Sequence, residues 1–312
     1  MTPDLTPRLA VHLRNFSPDE ADWEQLVARA IAADRAGIDK LVVSDHVVFG
    51  ERLEAYARPE IGGVRGGRQP TGPDGHWLEP IALLAYVAAR TTRVRLATHV
   101  LLAALRRPVV LAKSLSTLDV LSRGRLDVGV GVGWQREEYD AAGLDFRTRG
   151  RLLDACVEQC QELWRERSAT ITPHADPVAR IHQMPKPIQP GGVPIWISGT
   201  LTRRVALRLA RFGSGWIPWG DDALDPRSSM PRMRELVRAA GGDPAGLRAV
   251  ANLPTVRNAA GDPDIDATVA AAAELLAVGV TDFIVHPPVP DAAAAVAVYS
   301  AWSSAFRRAV GQ

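Results

Sequence analysis

Ser44, Asp45 and His46 carry the sharpest chemical signal in the chain. A carboxylate beside an imidazole, just after a short apolar run, can orient the ring and let it handle a proton near neutral pH. The competing reading is a solvated polar turn. A second signal is the run from Leu126 to Gly133, where Gly129, Gly131 and Gly133 alternate with other residues. Side chains alternate along a strand, so the three glycines share one face. Glycine weakens a strand unless a ligand or another backbone must come close. A flat ligand lying on this strand would account for all three, and tight packing inside a barrel is the alternative. The third signal is Ser198-Gly199-Thr200, which leads into a helix containing Arg203 and Arg204. Free backbone N–H groups and hydroxyls at a helix start suit an anion. An ordinary N-cap would look the same.

Other chemistries lack their residues. The seven histidines are scattered, with no metal-binding spacing on one helix face. There is no Gly-x-Ser-x-Gly elbow and no Walker lysine. The GVGVG run is followed by Trp134 and charged residues, so it is not a dinucleotide fingerprint. Trp134, Trp196, Trp216 and Trp219 could stack on a planar ligand, although single tryptophans more often belong to a core.

The elements that would hold these residues alternate. LAVHL (9–13) reads as a strand. Ser17, Pro18 and Glu20 have the types of a capped helix start, and Trp23, Leu26, Val27, Ala30 and Ile31 follow at helical spacing. Gly37 ends that helix, and DKLVVS (39–44) is a second strand. Further strands are expected at 94–102, 124–134, 193–198, 214–218, 247–256 and 281–286. Helices are expected at 78–90, 108–122, 147–166, 202–212, 228–240, 264–278 and 291–309. Near-continuous apolar strands, each followed by a helix, indicate a parallel sheet covered on both faces. The expected architecture is a (β/α)₈ TIM barrel with insertions after strand 2 and between helix 4 and strand 5. A doubly wound open sheet is the runner-up. With no linker in sight, residues 1–312 are read as one barrel domain. The stretches 47–76 and 167–192 are too long for plain connections and are read as substrate-covering segments.

Composition narrows the partners. The charge is 37 − 35 = +2, which gives no pull toward nucleic acid or acidic membranes. Three of the basic residues are lysines (Lys40, Lys113, Lys186), a skew typical of GC-rich coding. No apolar stretch approaches the length of a membrane span, and no signal peptide is visible, so a soluble cytoplasmic protein is expected. Cys156 and Cys160 lie four apart on a predicted helix and read as core residues. In a barrel, candidate site residues sit at C-terminal strand ends. Here these are His12 with Asn15, Ser44 to His46, Thr98 to Val100, Gly131 to Trp134, Ser198 to Thr200, Trp216 with Trp219, and His286.

Long ordered blocks then carry a resemblance. AGIDKLVVSDH (36–46), EPIALLAYVAARTTRVRLATHVL (79–101), RRPVVLAKSLSTLDVLSRGRLDVGVGVGWQREEYDAAGLDFRTRG (106–150) and VPIWISGT…LARFGSGW (193–216) resemble the bacterial luciferase-like superfamily. The similarity is to its coenzyme F420-dependent branch. The match covers most of 9–220 and is most specific over 106–150.

The resemblance implies a TIM barrel, usually a homodimer, acting on a small-molecule substrate. It places the family's Asp-His pair on Asp45 and His46, the first touching the deazaflavin ring and the second handling a proton. It places a non-prolyl cis peptide on His99-Val100. Val132, Gly133 and the nearby Glu137 would contact the cofactor, and Ser198, Gly199 and Thr200 would hold its phosphate. One departure stands out: the family's sugar-phosphate dehydrogenase has a catalytic glutamate where this chain has Trp134. That argues against a sugar phosphate and leaves His46 as the proton-handling residue. The implied reaction is hydride transfer at C5 of F420. The alternatives are an FMN-dependent monooxygenase using reduced flavin and oxygen, and a non-catalytic flavin-binding member of the fold. A GC-rich actinobacterial source, where deazaflavin enzymes are common, agrees with the cofactor choice.

Overall fold

The apolar runs become eight parallel strands: β1 (Arg8–His12), β2 (Lys40–Val43), β3 (Arg95–Leu101), β4 (Leu126–Val130), β5 (Ile195–Gly199), β6 (Gly215–Pro218), β7 (Arg248–Asn252) and β8 (Asp282–Val285). The computed structural model describes residues 5–172 and 176–312. Each strand pairs with its sequence neighbours, and β1 pairs with β8 from Arg8↔Asp282 to Val11↔Val285. That last pairing closes the barrel and excludes the open doubly wound sheet. The principal helices are α1 (Trp23–Arg35), α2 (Pro80–Arg90), α3 (Pro108–Leu121), α4 (Arg149–Arg165), α5 (Arg203–Phe212), α6 (Pro226–Ala239), α7 (Ile265–Ala277) and α8 (Ala292–Val310). Their apolar faces and the outward faces of the strands form one continuous core.

Strand alternation sends every second residue into the barrel, and these side chains form layers. The floor is charged. Lys40 Nζ lies 2.5 Å from Asp282 and 2.9 Å from Asp127, and 4.2 Å over the Trp196 ring. Arg248 pairs with Asp282 at 3.0 Å, and Arg95 with Asp127 at 2.6 Å. Burial alone would raise both carboxyls. Lys40, helped by Arg95 on Asp127 and by Arg248 on Asp282, outweighs it and holds both below the usual carboxylate range.

Above the floor lies a small apolar layer of Ala10, Val42, Ala97, Trp196, Ile217, Val250 and Ile284. Gly129 and Gly215 make room for it. A Cβ on Gly129 would lie 2.2 Å from the Thr98 carbonyl oxygen, and one on Gly215 would lie 2.4 Å from the Trp196 ring.

Three details differ from the sequence reading. Helix α1 starts at Trp23, and Asp22 caps it by accepting from the N–H groups of Glu24 and Gln25. Ser17 instead pairs with His76 in the two-residue ladder Phe16–Ser17/His76–Trp77, which ties the end of the first insertion to β1. Where it is described, the segment 167–192 does not run over the catalytic end. Its described part contains the hairpin Ala169–Ile171/Val178–Ile181 and then descends the outside of α3, through Gln183 to the Val109 carbonyl and Ile188 N–H to Asp119. It ends at the strand N-termini, where Gln189 bonds the Leu126 carbonyl and Arg95. A segment joining a helix to the next strand belongs at that end of a barrel. Cys156 and Cys160 are buried and free, as expected. No helix among the described residues is long and apolar enough to cross a membrane.

Lys40→Met leaves two carboxylates without their shared cation. Breaking a buried pair from one side costs about 3–5 kcal/mol. Urea unfolding of the variant should show a loss of that size. In the wild type, stability supplied by the two depressed carboxyls is present above the unfolded value near 4 and falls as the solution is acidified below it.

Candidate active site

The third inward layer forms the mouth, two residues beyond the apolar one. The Ser44 hydroxyl lies 3.3 Å from the His99 carbonyl oxygen, to which it can donate, and 2.9 Å from His12 Nε2. Burial pushes the His12 imidazole down to about 3, with His286 and Arg14 adding to the effect. Burial does the same to His99, also to about 3, with Lys40 and His12 contributing. His286 is lowered by burial and by Arg14. The mouth therefore holds neutral imidazoles at pH 7. Asn15 is fully buried and fixes the rim. Its Nδ2 donates to the Ser44 and Leu78 carbonyls, and its Oδ1 accepts from the Ser44 N–H.

The trio at the end of β2 faces three ways. Ser44 joins the mouth. Asp45 was expected to touch a cofactor ring, but its side chain is wholly buried elsewhere. Its carboxylate accepts from Arg106 at 2.6 and 3.1 Å and from the Leu102 N–H at 2.8 Å. Arg106 also reaches Glu79. Asp45 thus anchors the segment after β3 and acts through position. His46, 11% exposed, sits among aromatic rings: Phe49 at 4.5 Å, Trp77 at 4.8 Å and Trp134 at 6.1 Å between centroids.

The peptide between His99 and Val100 is cis, at the place the resemblance assigned. Register shifts there, and the Val100 side chain fills the space over Gly131, where a Cβ would come within 2.7 Å of it. Gly133 has φ +68° and faces Leu102. Protein atoms therefore take up the room left by all three glycines of β4 and its extension. The Val132 carbonyl accepts from the Tyr139 hydroxyl. Val100, packed over Gly131, thus makes an apolar shelf beside the imidazoles.

Trp134 closes one side of this space at 4% exposure, with Tyr56 5.3 Å away. Tyr56 belongs to the first insertion, which is fastened over the mouth. Gly50 N–H donates to Gln135, Gln135 Nε2 to the Val48 carbonyl, Arg52 to Glu137, and Trp219 Nε1 to the Gly62 carbonyl. Glu137, expected at the cofactor, is instead spent on Arg52 and packs against Gly50.

Ser198 and Gly199 end β5, and the exposed Thr200 follows. Thr202 caps α5 by accepting from the Val205 N–H, while Asp222 takes the Leu201 N–H and Trp216 donates to the Gly199 carbonyl. The turn is braced from below, and its open side carries Thr200 and the exposed Arg203 and Arg204. Among the described residues no cluster could hold a metal ion. An apolar shelf next to a braced helix start with two arginines fits a planar ring bearing an anionic tail.

Sequence reasoning missed Arg106 and the aromatic residues Phe49, Tyr56 and Trp77, and it could not orient Glu138. Arg106 had a signal, since a buried acid at Asp45 needs a cation. The aromatics lie in an insertion without periodicity, where nothing local indicates facing.

His12 and His99 should not titrate between pH 8 and 5 in an NMR series of imidazole resonances. Because their folded values are depressed, the unfolded chain takes the protons first. Their contribution to stability should be full above about 6.5 and shrink as pH falls toward 3.

The comparisons agree with this geometry. The profile of the luciferase-like monooxygenase family matches residues 9–295. An uncharacterized protein of Mycobacterium tuberculosis is 31% identical over 219 residues, 69% of this chain and 74% of its own length. The F420-dependent glucose-6-phosphate dehydrogenase of Kineococcus radiotolerans is 30% identical over 218 residues, 68% of this chain and 58% of its own. Among solved structures, an F420-dependent secondary alcohol dehydrogenase in complex with an F420-acetone adduct superposes with TM-score 0.73 at 16% identity, covering 97% of this chain and 99% of the other. A monooxygenase from Streptomyces bottropensis gives 0.72 at 20% identity, covering 96% and 99%.

Proposed function

Because the chain belongs to the luciferase-like monooxygenase family, we propose that it is an oxidoreductase exchanging a hydride between coenzyme F420 and a small organic substrate, with His46 handling the proton. The observation that carries this reading is the placement of His46. It sits at the strand end, walled by aromatic rings, and its Nε2 has no hydrogen-bond partner among the described residues. The relative named for F420 supports the cofactor.

When bound, a deazaflavin supplies hydride chemistry at C5. The chain supplies the rest. Val100 gives the ring an apolar backing. Thr200, the start of α5, and Arg203 with Arg204 hold the anionic tail. Asp45 and Arg106 keep the ends of β2 and β3 in register. The aromatic wall of Phe49, Tyr56, Trp77 and Trp134 excludes water, so that a proton passes between His46 and the substrate rather than the solvent. Trp134 stands where the sugar-phosphate enzyme has an acid, which points to an uncharged substrate.

The test is direct binding. Fluorescence titration of the apo-protein should show tight binding of F420. Tight FMN binding with none of F420 would defeat the proposal and favour the monooxygenase, and oxygen consumption decides if both bind. His46→Ala should lower kcat by about 10²–10⁴-fold, the usual contribution of a general acid or base, with cofactor affinity nearly intact. Unchanged turnover would remove His46 from the mechanism.

A further inference from the structure

Glu138 lies in the first turn of the short helix Arg136–Ala141, four residues beyond Trp134. Its side chain is wholly buried. Oε1 accepts from the Val47 N–H at 2.8 Å. Oε2 lies 3.2 Å from His46 Nδ1, and both atoms are buried with no other partner. The contact is out of line for a full hydrogen bond, as catalytic contacts in unliganded enzymes often are.

The company of this carboxylate is unusual for the molecule. Asp45 has Arg106, Glu137 has Arg52, and Asp127 and Asp282 share Lys40. Among the described residues no arginine or lysine pairs with Glu138. Its ionisable neighbour is an imidazole. A buried carboxylate facing a bare ring nitrogen would repel it, so the pair requires a proton on Nδ1. That leaves Nε2 as the nitrogen that exchanges protons.

We infer that Glu138 is the positioning residue of His46: it fixes the Nδ1–H tautomer and ring orientation, and it stabilises the imidazolium when Nε2 is protonated. This rests on the proposed role of His46. In the reducing direction the Nε2–H bond breaks and an O–H bond forms on the substrate oxygen. The electron pair stays on Nε2, and Nδ1 keeps its proton against the carboxylate. A second-layer carboxylate acting through histidine in this way does the work lost where Trp134 replaces an acid.

The experiment uses Glu138→Gln. Glutamine keeps the volume and the acceptor for the Val47 N–H, so a purely structural clamp would survive it. Long-range ¹H–¹⁵N correlation of the imidazoles at about pH 8, where an ordinary ring is neutral, reads the tautomer without any cofactor. The His46 signals are assigned by their loss in His46→Ala. The wild type should show Nδ1–H, and the variant should lose that preference. Turnover with the cofactor that supports it should fall by about 10–100-fold, with cofactor affinity unchanged. An Nε2–H tautomer in the wild type would overturn the inference, as would a variant with unaltered tautomer or unaltered kcat. Failure of the functional reading looks different: the wild type would bind no F420, and the tautomer measurement alone would then decide whether the pair exists.

Discussion

The barrel is organised around one ammonium group. Lys40 on β2 stands between Asp127 on β4 and Asp282 on β8, and Arg95 and Arg248 bring β3 and β7 into the same cluster. Five of the eight strands are thus tied by charge around three buried groups, Lys40, Asp127 and Asp282. A slip of one residue in any of them would turn its charge out of the cluster and an outward apolar side chain into it. The ion cluster therefore sets the height of each strand. Counting two and then four residues up gives Val42 and Ser44, Ala97 and His99, Gly129 and Gly131, and Ile284 and His286. The apolar layer and the mouth follow from the floor.

At the mouth, one short sequence supplies three separate jobs. Ser44, Asp45 and His46 are adjacent in the chain yet face the barrel lumen, the Arg106 anchor and the aromatic wall. The chain leaves β2 after Val43, so the three side chains do not follow strand alternation. The two acidic residues expected beside a cofactor are engaged by arginines. Asp45 and Glu137 each meet an arginine, and a carboxylate in a fork of N–H donors has little reason to face a ring.

Much of this was legible in the sequence. Apolar runs alternating with helical periodicity placed all eight strands to within a few residues, and the strand-end rule found His12, Ser44, His99 and His286. The cis peptide was located through family resemblance alone, whereas the Ser198 turn followed from its place at a helix start. What failed had identifiable causes. Ser17 and Asp22 are both competent caps, and the choice between them was made by the pairing of Phe16–Ser17 with His76–Trp77, a contact of about sixty residues' separation. The described part of 167–192 runs down the outside of α3 to the strand N-termini, because it joins a helix to the next strand, and length alone does not show that. The three glycines looked like a ligand platform, but Thr98, Ile217, Val100 and Leu102 occupy their space. Sequence spacing shows where side chains are missing, not what fills the gap.

The floor has one more effect, which is electrical. Charges of both signs sit there, and only a thin apolar layer separates them from the mouth. His99 feels this cluster in both senses: Lys40 disfavours its protonation, and Asp282 and Asp127 favour it. A cluster that serves architecture thus also contributes to the potential of the cavity above it. In this barrel the strut that fixes the strands is also a buried electrode.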